Sequence, residues 1–166
     1  FTRKYAIMLA EKLHCDCFDL VDISRVALHR YDRIIYGGGL YISGINGIKL
    51  FKKHLLHLKD KQIILFATGA TPGRNAEIED VVQKNLTVEQ QQRIPFFYLR
   101  GGYDFSKLSW IDKILMILLK LKLRLKRNLT PDERGLLNAY EKPVDFVREE
   151  NLDPLMKALL EMGSSV

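Results

Sequence analysis

The sequence predicts an α/β protein with a doubly wound parallel sheet, on three observations. Apolar runs suited to strands end in glycine-rich turns: Arg33–Tyr36 runs into Gly37-Gly38-Gly39, Gln62–Ala67 into TGATPG, and Ile94–Leu99 into Arg100-Gly101-Gly102. Within QIILFA the apolar residues follow one another without alternation, the pattern of a strand covered on both faces. Stretches of helical periodicity separate these runs, which is the order of parallel βαβ units.

Each element has a local reason. Thr2–Leu13 (TRKYAIMLAEKL) sets Tyr5, Met8, Leu9 and Leu13 on one side of a helix, with Thr2 placed as its N-cap. Cys15–Ile23 (CDCFDLVDI) reads as a strand running into a loop. Ile45–Leu58 reads as a basic amphipathic helix, and Ala76–Gln92 as a polar helix ended by Pro95. Thr130-Pro131-Asp132 reads as a loop, and the closing helix starts at Asp153-Pro154, where proline is tolerated in the first turn. The chain opens on a helix, whereas a doubly wound sheet normally opens on a strand in its middle. Ligands of such sheets bind beyond the carboxyl ends of the strands, so the glycine-rich turns fall on the expected binding edge.

At 166 residues the chain is one domain by length, and 47% hydrophobic with 28% charged residues is the balance of a globular rather than a disordered chain. The longest apolar run, Ile114–Leu119, falls far short of the roughly 20 residues of a membrane span. Cys15 and Cys17 are expected to be reduced, structural thiols in a cytosolic strand, since a Cys-x-Cys pair lacks the further ligands of a metal site. His14, His29, His54 and His57 form no metal pattern, although His54 and His57 lie three apart on a helix. No Gly-x-Ser-x-Gly, complete P-loop or His-x-Glu motif occurs.

The net charge of +6 is carried by one segment: Lys107–Arg127 holds seven basic residues against Asp112 alone. At helical spacing Ile111, Ile114, Leu115, Leu118, Leu121 and Leu125 form a stripe there, opposite Lys113, Lys120, Arg124 and Arg127. KLKLRLK alternates with period two, so the second half reads equally as an extended arm. A basic amphipathic segment with Trp110 near its start suits an anionic membrane surface, at roughly 1 kcal/mol per basic residue. The alternative is a helix packed on its own domain with a solvated basic face. Nothing resembling a base-reading module accompanies the charge, which argues against nucleic acid.

The motifs resemble a known family. YDRIIYGGGLY is similar to the third strand and following loop of flavodoxin-like proteins, in which a Gly-x-x-Tyr loop wraps a flavin ring. FTRKYAIMLAEKL resembles the first helix of that fold, just after its Ser/Thr-x-Thr-Gly-x-Thr phosphate loop. On that alignment Phe1 and Thr2 are the last two loop positions, and the first strand with the rest of the loop lies upstream. YLRGGYDFSKLSWIDKILMILLKLK, followed by VDFVREENLDPL, is similar to the flavodoxin-type protoporphyrinogen IX dehydrogenase group, which carries a basic, aromatic-bearing insertion after its fifth strand. The resemblance covers essentially the whole chain. It implies a single flavodoxin-like domain, strand order 2-1-3-4-5 with the first strand missing, and a basic helical insertion at 106–130.

FMN is the cofactor the resemblance implies, held by Phe1, Thr2, Gly38, Gly39, Leu40, Tyr41, Thr68, Gly69 and Ala70. Thr2 would give its hydroxyl to a phosphate at a helix N-terminus, or be a plain cap. Gly37–Tyr41 would meet the ring edge, with Leu40 or Tyr41 covering a face, or be a tight turn with Tyr41 in the core. Thr68-Gly69-Ala70-Thr71 matches a second ring-binding loop but has no aromatic residue to stack there; a structural turn is the alternative. Gly101-Gly102-Tyr103-Asp104 is expected to be a structural turn.

The expectation is an FMN-binding oxidoreductase, cytoplasmic or peripheral at the inner face of the membrane. The resemblance points to a porphyrinogen or another small redox substrate and a membrane-linked electron acceptor. Rival readings are an electron carrier without its own substrate, against which the positive charge argues, and a non-catalytic module of the same fold. A receiver-type phosphorylation domain needs a clustered acidic pocket at the strand ends, and none is visible.

Overall fold

A computed structural model of the chain describes residues 1–41, 43–55, 58, 60–108, 110–140 and 142–163, with the side chains of Arg25, Lys107, Ile111, Asp112 and Asp132 left out of the description. Along the chain the elements are α1 (Thr2–Leu13), β1 (Arg33–Tyr41), β2 (Gly44–Ile45), α2 (Ile48–Leu55), β3 (Gln62–Gly69), α3 (Asn75–Asn85), α4 (Val88–Arg93), β4 (Phe96–Arg100), β5 (Gly102–Tyr103), α5 (Trp110–Arg124), α6 (Pro131–Ala139), β6 (Val144–Asp145) and α7 (Asp153–Gly163). They form two compact units. One is Phe1–Gly101 with the stretch from Val147 onward, the other Gly102–Phe146.

The first unit is a sheet between two helical layers. β1, β3 and β4 are parallel, in register from Arg33↔Gln62 to Gly39↔Thr68 and from Leu65↔Phe96 to Gly69↔Arg100. The short β2 adds antiparallel to the tip of β1. Alternation along the strands sends side chains to two cores. Tyr36, Ile63, Leu65 and Ala67 meet Ile48 and Phe51 of α2 and Val81 of α3 on one face. Ile64, Phe66 and Leu99 meet Tyr5 and Leu9 of α1 and Leu155 and Leu159 of α7 on the other. Coverage of both faces is why QIILFA needs no polar alternation. The Tyr5 hydroxyl, fully buried, is satisfied by donating to the Arg100 carbonyl at 2.6 Å and accepting from Asn151 Nδ2 at 2.6 Å.

Several expectations are corrected. Phe1, not Thr2, caps α1, and the cap makes no side-chain hydrogen bond. The glycine run is not a loop: Gly37–Tyr41 is the second half of β1, its three glycines paired with β3 and Leu40 and Tyr41 with β2. Cys15–Ile23 is not a strand; residues 15–19 belong to no sheet, and Leu20–Arg25 is a 3₁₀ turn. The physical reason is the want of a ladder. A strand needs a neighbour for its N–H and C=O groups, and beside this segment lies a groove of about 410 Å³, lined among others by Leu9, Leu13, Phe18, Leu20, Ile34 and Phe51. Cys15 and Cys17 are free and exposed at its rim, and partial burial raises the Cys15 thiol pKa.

The helix expected from Ile45 begins at Ile48, because Ile45 is taken by β2; residues 56 and 57, the latter His57, lie outside the described residues. Ala76–Gln92 is two helices, parted at Leu86 where Thr87 and Gln90 build a capping box for α4. Ile94 caps α4, so β4 starts only at Phe96.

In the second unit, β5 and β6 pair antiparallel, and α5 runs continuously to Arg124, so the alternating KLKLRLK does not form an extended arm. Thr130-Pro131-Asp132 is a helix start rather than a loop: Thr130 and Glu133 cap α6 reciprocally and Pro131 occupies its first turn. Tyr140 gathers this unit's aromatic cluster. Its ring lies 5.9 Å from Tyr103 and 5.4 Å from Phe105, and its hydroxyl donates to the Met116 carbonyl. Among the described residues no helix is long and apolar enough to cross a membrane.

Candidate functional site

The tips of β1, β3 and β4 converge with the start of α1. The parallel register puts Gly39 beside Thr68 and Gly69 beside Arg100. Thr2 Oγ1 lies 2.6 Å from Thr68 Oγ1. A single shared hydrogen satisfies that pair, which leaves one hydroxyl hydrogen to donate elsewhere. Thr68 is 5% exposed, so these groups point into a sheltered corner.

The three glycines answer to different neighbours. A Cβ on Gly37 would stand 2.1 Å from Phe66 Cζ, and one on Gly38 would stand 2.4 Å from Ile45 Cγ2 and 2.9 Å from the Asn46 carbonyl oxygen. Both make room for the protein's own chain. Gly39 differs: its Cβ would meet Thr2 Oγ1 at 3.4 Å, Asn46 Nδ2 at 3.6 Å and Thr68 Oγ1 at 4.0 Å. It is the floor of a small polar cradle.

Asn46 enters this cradle without any sequence signal for it. Its backbone N–H donates to the Gly39 carbonyl at 2.9 Å, and its own carbonyl accepts from the Tyr36 hydroxyl at 2.6 Å. Tyr36 is fixed in turn by stacking on Phe51, with ring centroids 4.3 Å apart. Burial pushes the Tyr36 phenol up to about 12. Gly47 follows at φ +78°, a conformation that any side chain would strain, and a Cβ there would also strike Leu20 and the Tyr36 hydroxyl.

Beyond the cradle, Leu40 turns toward Gly69, its Cδ1 3.3 Å from where a Gly69 Cβ would stand. Tyr41 is 45% exposed at the strand tip and is not a core residue. The loop after β3 does have an aromatic neighbour, supplied by the next strand. Tyr98 lies against Gly69 and Gly73, donating its hydroxyl to the Thr71 carbonyl at 2.7 Å. Burial raises its pKa against the opposing effect of the Thr71 hydroxyl, 3.2 Å away. The signal was alternation: Phe97 and Leu99 face the α1 and α7 core, so Tyr98 must face the other way, with Phe96. Phe1 packs at the edge of the α1 core, its Cβ 3.0 Å from where a Gly101 Cβ would stand. Ala70 sits in the bend after β3.

Thr2, Gly39, Leu40, Thr68 and Gly69 thus come together, and Asn46 and Tyr98 join them. Gly38 is nearby as a packing residue. A family model described as the flavodoxin domain matches residues 1–127. The chain belongs to the flavodoxin domain family. No curated protein and no solved structure matches it. The family places this flavodoxin domain, at the level of the class, with FMN-binding redox proteins, and the mostly parallel sheet covered by helices fits that fold.

The residues present fit a phosphorylated, ring-bearing cofactor. The corner offers hydroxyl and carboxamide hydrogens, the opening N–H groups of a 12-residue helix with no acidic residue in its first turn, and a glycine floor open to close approach. Among the described residues no group of histidine, cysteine and carboxylate side chains could hold a metal ion.

Proposed function

We propose that this flavodoxin domain is an FMN-dependent oxidoreductase whose cofactor lies across the tips of β1, β3 and β4. The observation supporting this is the meeting of the Thr2 and Thr68 hydroxyls, the Asn46 carboxamide and the bare Gly39 at the start of α1. In this reading Phe1 and Thr2 belong to the phosphate end, where the helix N-terminus favours negative charge. Gly38, Gly39, Leu40 and Tyr41 border one side of the ring; Thr68, Gly69 and Ala70 border the other, where Tyr98 supplies the missing aromatic wall. Bound there, FMN would supply the redox chemistry, while the protein orients it and limits water access.

The finer reading takes β1, β3 and β4 as the third, fourth and fifth strands of a 2-1-3-4-5 sheet, with residues 106–130 as a basic helical insertion. It also assigns a porphyrinogen-like substrate and a membrane-linked electron acceptor, by resemblance to the protoporphyrinogen IX dehydrogenase group. The test is to titrate FMN into the purified protein and follow flavin fluorescence. Stoichiometric quenching, followed by flavin reduction on adding a porphyrinogen, is the expected result. A folded protein that leaves the fluorescence unchanged overturns the FMN reading, and quenching without reduction leaves an electron carrier.

A further inference from the structure

Helix α5 carries two apolar faces, and the protein uses one of them. Leu123, 6% exposed, and the half-buried Met116 and Leu119 lie on one side. On that side the Met116 carbonyl takes the Tyr140 hydroxyl and the Lys120 ammonium sits 5.0 Å from the Tyr140 ring centroid. The opposite side is also apolar, yet exposed. Trp110, Ile114, Ile117, Leu118, Leu121 and, just past the helix, Leu125 are between 47% and 87% exposed.

At 3.6 residues per turn these six side chains fall within an arc of about 100°. Lys113 and Arg124 border the arc on one side and Lys122 on the other, and Lys126 and Arg127 follow directly. An exposed apolar stripe fringed by cations is the reverse of an ordinary surface helix, whose solvent face is polar.

We infer that α5 docks flat on an anionic lipid surface, the stripe entering the acyl boundary and the flanking cations meeting headgroup phosphates. Charge complementarity selects this occupant. A second copy of the chain would bring Lys113, Lys122 and Arg124 against their own counterparts. A nucleic acid would satisfy the cations but leave six apolar side chains facing phosphates. At 15 residues the helix spans about 22 Å, too short to cross a hydrocarbon core of about 30 Å. Docking in the plane is what its length and pattern allow. The inference rests on α5 alone and stands apart from the FMN reading.

Trp110 is the only tryptophan in the chain, so its fluorescence reports on the stripe specifically. The full chain is mixed with vesicles of phosphatidylglycerol and phosphatidylcholine in equal parts, or of phosphatidylcholine alone, and sedimented. The expected result is co-sedimentation with the anionic vesicles only, a blue shift of Trp110 emission, and binding at least about tenfold weaker in high salt. The double variant Leu118→Glu/Leu121→Glu and the charge reversal Lys122→Glu/Arg124→Glu should each lose binding. Both change exposed positions, so both should melt as the parent does. Three results overturn the inference: no binding to anionic vesicles, binding unchanged in both variants, or a self-associated chain in which Trp110 is already shielded before lipid is added.

Discussion

Replacing Gly37 and Gly39 separately by alanine should give opposite outcomes, although the two glycines are two residues apart on one strand. At Gly37 the new Cβ would stand 2.1, 2.5 and 2.7 Å from three carbons of the Phe66 ring. Ordinary carbon contacts are about 3.5–4.0 Å. Phe66 is 1% exposed and wedged in the α1–α7 core, so it has nowhere to move. Overpacking of this kind costs about 1–3 kcal/mol, against roughly 0.4–1 kcal/mol gained by stiffening the unfolded chain. A net loss of about 1–2 kcal/mol lowers the melting temperature of a chain this size by roughly 2–8 °C. At Gly39 the Cβ would make ordinary contacts, at 3.4 Å and beyond, and the backbone there does not have a positive φ. Gly39→Ala should therefore melt at or slightly above the parent temperature while filling the cradle, and FMN affinity should fall about tenfold or more, each tenfold being about 1.4 kcal/mol. The assays are thermal denaturation by circular dichroism and FMN fluorescence titration. Equal melting of Gly37→Ala and the parent would refute the packing argument. A Gly39→Ala protein that binds FMN like the parent would refute the cradle.

Three further outcomes are expected. Asn85→Ala should lose about 2 kcal/mol or more in urea denaturation, since it strands the buried Ile45 N–H; a loss under half that size would mean the amide is not structural. Tyr36 has a folded-state pKa raised by burial to about 12, above the ordinary value near 10, so its contribution is fully present below pH 10 and is lost as pH rises toward 12. Denaturation across that range should show Tyr36→Phe losing less stability with rising pH than the parent, and parallel curves would count against it. Thr130→Ala removes one half of the α6 capping box and should cost about 1 kcal/mol, with reduced helicity by circular dichroism; an unchanged spectrum and melt would contradict the cap.

The sequence made the βαβ order, α1 and the core faces legible because periodicity and unbroken apolar runs act locally. The strand expected at Cys15–Ile23 illustrates what local pattern misses. Alternation can propose a strand, but only a paired neighbour makes one, and that neighbour is not in the segment itself. Of the candidate site, Thr2, Gly39, Thr68 and Gly69 were readable as strand-end and helix-start residues. Asn46 was not, because what brings it to Gly39 is the antiparallel pairing of β1 with β2 and a hydrogen bond from Tyr36, both properties of the folded chain. The Thr87/Gln90 and Thr130/Glu133 boxes stand in the sequence in plain form; Gln92 and Pro95 offered an apparently sufficient end for one long helix and hid the first of them.

The role of Asn85 reaches further than its own burial. This one side chain accepts from the Ile45 N–H at 2.9 Å and donates to the Ser43 carbonyl at 2.6 Å and the Val81 carbonyl at 2.7 Å. Ser43 itself sits in the left-handed region at φ 60°, a conformation uncommon for serine unless its surroundings hold it. The tip that carries Leu40, Tyr41 and Asn46 is therefore moored to α3, forty residues away along the chain. It is not a portable loop. Moving residues 36–47 into another parallel sheet to transfer the cradle would carry the glycines but lose the mooring. An engineer would have to bring the last turn of α3 as well, or find another buried amide to hold the hairpin in its bent form.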